Sequence, residues 1–252
     1  MEDTEDYYIR NKVRFAKEFE KILSVAKKVT HTRFDERTLE ILIERSRKQF
    51  EHILSEIPYV GGDRSPATEL MMHGAQTIAF YKACKSIGME SREFGQLMYE
   101  IAEAYMESAS WIRRRIVRRL AFSNRAKLQW KTWATESQNR EYSQNWIGEF
   151  IDGDGTVFDW GLNFEECGWL KLAREHGVEE IAPFACLADF ARMRAFGVGF
   201  RRTQTLALGH PRCDFRFGKN LETPRGWPPE GLEEFKGVSS TDFRSPHSEE
   251  AT

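Results

Sequence analysis

The chain has 252 residues, 40% hydrophobic and 30% charged, with a formal net charge of −2. It is long enough to bury a core, as one large domain or two small ones. No apolar run approaches the roughly 20 residues of a membrane-spanning helix. The acidic start MEDTEDYYIRNK lacks a signal peptide's apolar stretch, so a cytoplasmic location is expected. The four cysteines, Cys84, Cys167, Cys186 and Cys213, form no CxxC pair, which excludes a zinc ribbon or a thioredoxin motif.

The first half has helical periodicity. Val13, Phe15, Phe19, Ile22, Leu23 and Ala26 mark a helix over 6–29. Leu39, Ile41, Leu42, Phe50, Ile53 and Leu54 mark another over 35–57, with Asp35 as N-cap. Pro58, Gly61, Gly62 and Pro66 break the chain. Helices follow over 67–87 and 91–109, separated by Gly88, and a further helical stretch runs on to about Trp133.

After Ser137 the period becomes two. Trp146, Gly148 and Phe150 alternate with Ile147, Glu149 and Ile151, and a DGDG turn follows. Phe158, Trp160, Leu162 and Phe164 alternate with Asp159, Gly161, Asn163 and Glu165, a strand with one apolar face. A short helix over 169–176 stops at Gly177, and a second covers 179–196. GVGFRRTQTLALGHPRCDFRF reads as two strands around a Gly-His-Pro-Arg turn. In the second of these, Cys213, Phe215 and Phe217 share one face and Asp214 and Arg216 the other.

Helices followed by a short sheet predict an α+β fold with an antiparallel or mixed sheet carrying two helices. The expected organisation is a helical region over 1–136 and an α+β region over 137–219, together one compact domain. The tail over 220–252 is rich in Pro, Glu, Ser and Gly. It is expected to be partly disordered, with Trp227 and Phe235 docking on the body. The apolar helices either pack on the sheet or form a homodimer interface.

Eight basic residues and no acidic one lie between Arg113 and Lys131. Such a block suits phosphates or an anionic surface, or it is a solvated helix face paired with acidic neighbours. No zinc-finger, RNP or helix-turn-helix signature accompanies it, so nucleic acid is not expected as a partner; with no apolar run long enough to span one, a membrane is not expected either.

The Glu-Cys at Glu166 and Cys167 and the break at Gly177 are followed by Pro-x-x-Cys-x-x-Asp at Pro183, Cys186 and Asp189. Arg-Thr-x-Thr-Leu at Arg202 to Leu206 and Arg-Cys-Asp-Phe-Arg at Arg212 to Arg216 complete the series. In this order they resemble the L-2-amino-thiazoline-4-carboxylic acid hydrolase family over residues 145–218. The family usually carries Gly-Gly-Asp where this chain has Gly209, His210 and Pro211. The resemblance implies hydrolysis of a cyclic amidine-like C=N bond: water adds at C2, the C2–S bond opens, and an N-carbamoyl amino acid results. It also implies a distant likeness to vinyl-reductase-type domains, which bind small molecules without necessarily transforming them.

That chemistry needs a nucleophile, a proton donor and a cation for the substrate carboxylate. Cys167, at the start of a short helix, is the first nucleophile candidate, because helix N-terminal N–H groups favour a thiolate; otherwise it is a buried thiol. Asp189 is a general-base candidate on the same helix face as Cys186, which would line the pocket or the core. Glu166 is either the acid or base beside Cys167 or a charge complementing the helix dipole. Cys213 is a site residue if the packed side of the sheet is also the pocket side. Asp214 would then be structural, and otherwise it belongs with the substrate-binding residues. Arg202 is a candidate two-pronged carboxylate clamp or one half of an ion pair. Thr203 and Thr205 are substrate-binding candidates or cross-strand partners. The three cysteines come from separate elements, so their spacing gives no support to a metal, and no metal or cofactor is expected. The expected partner is a small-molecule substrate.

Overall fold

The computed structural model describes residues 7–107 and 110–238, and of Met106 the backbone alone. Asp6, Ser108, Ala109 and residues 239–252, all covered by the expectations above, lie outside the described residues. Helix α1 (Tyr7–Arg10) leads into α2 (Lys12–Thr30). Phe15, Phe19, Leu23 and Ala26 of α2 are buried, but Val13 is 76% exposed, because it stands on the opposite side of the helix from that stripe.

Helix α3 (Glu36–Leu54) is capped as expected: Asp35 accepts the Thr38 N–H at 2.8 Å. Helix α4 (Pro66–Lys85) is buried on nearly all sides, with Met71, Met72, Ala75, Ile78 and Ala79 fully enclosed. That is the pattern of a core helix. Helix α5 (Ser91–Glu107) follows.

The stretch expected to continue unbroken to Trp133 is two helices, α6 (Trp111–Ala121) and α7 (Asn124–Ser137). Ser123 parts them. Its backbone is extended and its hydroxyl accepts the Ala126 N–H at 3.2 Å, so it caps a new helix instead of prolonging the old one.

The protein is α+β. Strands β1 (Ile147–Asp152), β2 (Trp160–Glu166), β3 (Gly199–Arg201) and β4 (Cys213–Gly218) form one antiparallel sheet in the order β1-β2-β4-β3. Trp160, Leu162 and Phe164 stand opposite Phe217, Phe215 and Cys213. Helices cover this aromatic face. Trp130 of α7 stacks on Trp160, Trp133 meets Phe164 edge-on, and Phe190 meets Phe200 edge-on.

Helix α8 (Gly168–Glu175) follows β2 and ends before Gly177, whose φ of 64° suits glycine. The second helix, expected over 179–196, is broken. A 3₁₀ turn over Glu179–Ile181 leads to α9 (Ala182–Ala185), and α10 (Ala188–Phe196) is separate. Pro183 has no N–H to offer, and the Leu187 N–H bonds back three residues to Phe184 at 3.1 Å, which tightens the chain into a corner.

Of the two strands expected around a Gly-His-Pro-Arg turn, the second forms as β4 but the first is shorter than expected, because β3 ends at Arg201. The Asp214 carboxylate draws in the N–H groups of Thr203 and Gln204, both at 2.7 Å, and the Thr203 hydroxyl at 2.6 Å. These local bonds replace a continuing ladder. Thr205 then caps a 3₁₀ turn over Leu206–Leu208, so Thr203 and Thr205 are not strand residues. Beyond β4, Leu232, Glu234 and Phe235 are buried and Trp227 packs against the core. Among the described residues no helix is long and apolar enough to cross a membrane.

Candidate functional site

Where β3 ends, Arg202 turns into the interior. Its side chain is 1% exposed. Nε and Nη2 donate to the two carboxylate oxygens of Glu234 at 2.5 and 2.8 Å, and Nη1 donates to Asp189 Oδ2 at 3.2 Å. Nη2 also reaches the Cys186 carbonyl at 3.4 Å, and the guanidinium lies over the rings of Phe190 and Phe215. These bonds occupy four of its five N–H groups.

Cys186 and Cys213 lie near this cation, and Cys167 lies near both of them. Cys213, on the aromatic face of β4, takes the Leu206 N–H at 3.2 Å and lies 3.5 Å from the Thr205 hydroxyl. Cys167 precedes α8, and Cys186 sits in the corner between α9 and α10; both residues are half-buried. Cys167 is close enough to feel a charge on Cys213, and Cys186 to feel one on either.

Burial pushes the Cys167 thiol up to about 12. The N–H groups of Trp169 and Leu170 and the Trp146 indole pull the other way, and they lose. Thus the helix N-terminus does not make Cys167 a standing thiolate: desolvation of the charged form outweighs it. Burial likewise pushes Cys186 and Cys213 up, against the pull of Arg202. Among the described residues no three His, Cys, Asp or Glu side chains are arranged to hold a metal ion.

The remaining expected residues are placed as follows. Glu166 points away from Cys167, as strand alternation dictates, and pairs with Lys171 and Arg140, which hold its carboxyl below the usual range. At neutral pH it is an anion with its partners in place. Asp214 organises the loop after β3, and Thr203 is one of its donors. Arg216 reaches Asn163 at 2.9 Å on the face away from the helices. Asp189, with its side chain 28% exposed, is the more open of the two carboxylates on Arg202.

Two polar residues that sequence reasoning passed over stand out. Glu234 is fully buried although the segment EGLEEFKG reads as a solvated tail; its one signal is the flanking pair Leu232 and Phe235. His73 lies in the apolar helix α4, where a polar residue is itself the signal. Burial and the positive charge of Arg192 hold it down to about 4, so the imidazole is neutral at pH 7. Its Nδ1 has no hydrogen-bond partner among the described residues. The next residue, Gly74, lets α4 close on the first turn of α8: a Cβ there would lie 1.9 Å from the Trp169 ring.

The arrangement therefore offers thiols that ionise only with help, a partly open carboxylate, a mostly satisfied buried guanidinium and a neutral imidazole. Residues 69–217 match a family described as L-2-amino-thiazoline-4-carboxylic acid hydrolase. The match starts in α4, so it takes in helical residues, His73 among them, upstream of the strands and cysteines. Neither a curated protein nor a solved structure matches.

Proposed function

The chain belongs to the L-2-amino-thiazoline-4-carboxylic acid hydrolase family, and on that premise we propose that it adds water to the C=N carbon of a small cyclic amidine-like acid, of the 2-amino-thiazoline-4-carboxylate type. The observation that carries this reading is the Cys167 thiol, which lies beside the N–H groups of Trp169 and Leu170. A negative charge developing there meets the positive end of α8.

A thiol with a high pKa attacks only if its proton leaves in the same step, and the ring nitrogen of the amidine is a base that can take it. The Cys167 sulfur bonds to C2 as its proton passes to that nitrogen. The exocyclic nitrogen then forms a C=N bond as the C2–S bond of the ring breaks, and the proton it releases passes to the departing sulfur. Water then attacks the same carbon, with Asp189 as the base, and expels the Cys167 sulfur to give the N-carbamoyl amino acid. Because Arg202 is largely satisfied by Glu234, it serves mainly to fix Asp189 and Cys186.

One observation favours a second reading, a non-catalytic ligand-binding module: burial raises all three thiols of the cluster. The test is to incubate the protein with 2-amino-thiazoline-4-carboxylate and follow the mass of the mixture. The hydrolase reading expects a product heavier by one water, lost in Cys167→Ser. Binding of the compound without turnover favours the second reading.

A further inference from the structure

We propose that α6 is a docking helix for an anionic lipid surface. None of its side chains is buried. Ile112, Ile116 and Leu120 recur every four residues, so they form one stripe, and they are 53%, 53% and 58% exposed. Trp111, at the start of the helix, is 70% exposed. The opposite side faces the body through half-buried Val117 and Ala121, and there Arg118 donates to the Lys219 carbonyl at 3.1 Å. Four large apolar side chains on one surface helix contribute nothing to the core, which calls for an external contact.

Charge selects the contact. Helical geometry places Arg113 along one edge of the stripe and Arg115 and Arg119 along the other. Among the described residues these three take part in no ion pair. Next to the Arg115 and Arg119 edge, a groove of about 1120 Å³ runs between α6 and the end of α10. Arg118, Arg194 and Lys219 also line it, giving room for an anionic headgroup.

An apolar stripe edged by cations is the form of a helix lying in a membrane interface. Aliphatic groups enter the acyl boundary and the arginine stems reach up to the phosphates. A second copy of the chain fits poorly, because pairing this face with itself would bring both sets of arginines together. That no helix among the described residues is long and apolar enough to cross a membrane does not bear on this, since α6 lies on the surface.

The test is flotation of the full chain with vesicles of phosphatidylcholine alone or mixed with phosphatidylserine. The chain is expected to float with the anionic vesicles only, and less so as salt rises. Arg115→Gln and Arg119→Gln should each weaken partitioning about fivefold, from roughly one kilocalorie per mole per arginine. Ile116→Asp with Leu120→Asp should abolish it while the circular dichroism and Tm stay unchanged, since these side chains are exposed. Failure to float, equal floating with neutral vesicles, or floating that survives the double substitution would overturn the proposal. So would a dimer in light scattering that the double substitution converts to a monomer, which would assign the stripe to a second copy. A complex with an acidic protein in place of vesicle binding would overturn it too.

Discussion

Arg202 and Glu234 form a two-pronged ion pair at 2.5 and 2.8 Å, with side-chain exposures of 1% and 0%. The pair joins the end of β3 to the segment beyond β4, and so anchors the residues after the sheet to the cysteine cluster. Two charges taken out of water attract strongly but lose their hydration, so the intact pair adds little net stability. Removing one partner is different, because the other charge stays buried.

Glu234→Ala should therefore destabilise the protein by about 3–5 kcal/mol in urea unfolding. Asp189 stays 3.2 Å from the guanidinium but is partly open to solvent, and it compensates little. Glu233→Ala, which removes the exposed pair with Lys236, should change stability by less than about 1 kcal/mol. Equal effects at the two neighbours would show that the buried pair is not an anchor.

Asp214→Ala removes the acceptor for Thr203 and Gln204 and should lower stability by roughly 1–3 kcal/mol. Asp214→Asn, which keeps an acceptor oxygen, should lose less. If the Asn variant keeps its Tm but loses turnover, Asp214 holds substrate and its loop role is secondary.

With its pKa at about 12, Cys167 should be slow to alkylate at neutral pH. It carries roughly a thousandfold less thiolate than a thiol at 9, and its rate should rise about tenfold per pH unit. Mass spectrometry of the iodoacetamide-treated native protein reads this directly. The stability linkage has the matching sign. A raised thiol pKa contributes stability that is complete below about pH 9 and is lost as pH rises towards 12. Rapid labelling of Cys167 at pH 7 would contradict the burial seen here.

His73 acts at the other end of the scale. Its pKa is depressed to about 4 from 6.5, so the folded state binds fewer protons than the unfolded. Its contribution is present above pH 6.5 and is lost as pH falls to 4, on the order of 3 kcal/mol. His73→Gln should flatten the fall in Tm over that window. An unchanged slope would mean that the imidazole is solvated.

Gly74→Ala places a methyl group on the Trp169 ring, where the Cβ would be 1.9 Å away. Overpacking of this kind should cost about 1–3 kcal/mol. It should also disturb the first turn of α8 beside Cys167, lowering turnover more than an exposed glycine such as Gly155 would when substituted. Gly155 has open space around its Cβ direction but a φ of 76°, so its replacement carries backbone strain alone.

The site was partly readable before folding. The alternation from Cys213 to Phe217 correctly separates the aromatic side from the Asp214 and Arg216 side, because a strand's period of two is a local property. The break at Gly177 and the cap at Asp35 were readable for the same reason. The corner at Cys186 was not, because helical periodicity runs straight across it and only Pro183 hints at the turn. Glu234 was hidden by its setting among tail-like residues, and Val13 misled because one apolar residue can stand off the stripe.

By itself the sequence determined the helices-then-strands order, the faces of β2 and β4 and the family resemblance, all of which follow from neighbours within a turn or two of chain. Only the tertiary structure decided that Cys186 and Cys213 come to Arg202 with Cys167 beside them, and that Glu234 closes on Arg202 from 32 residues away. It also decided that the thiols are held neutral. The helix N-terminus favouring a thiolate is a local effect, whereas the desolvation that outweighs it depends on how much distant chain packs around the sulfur.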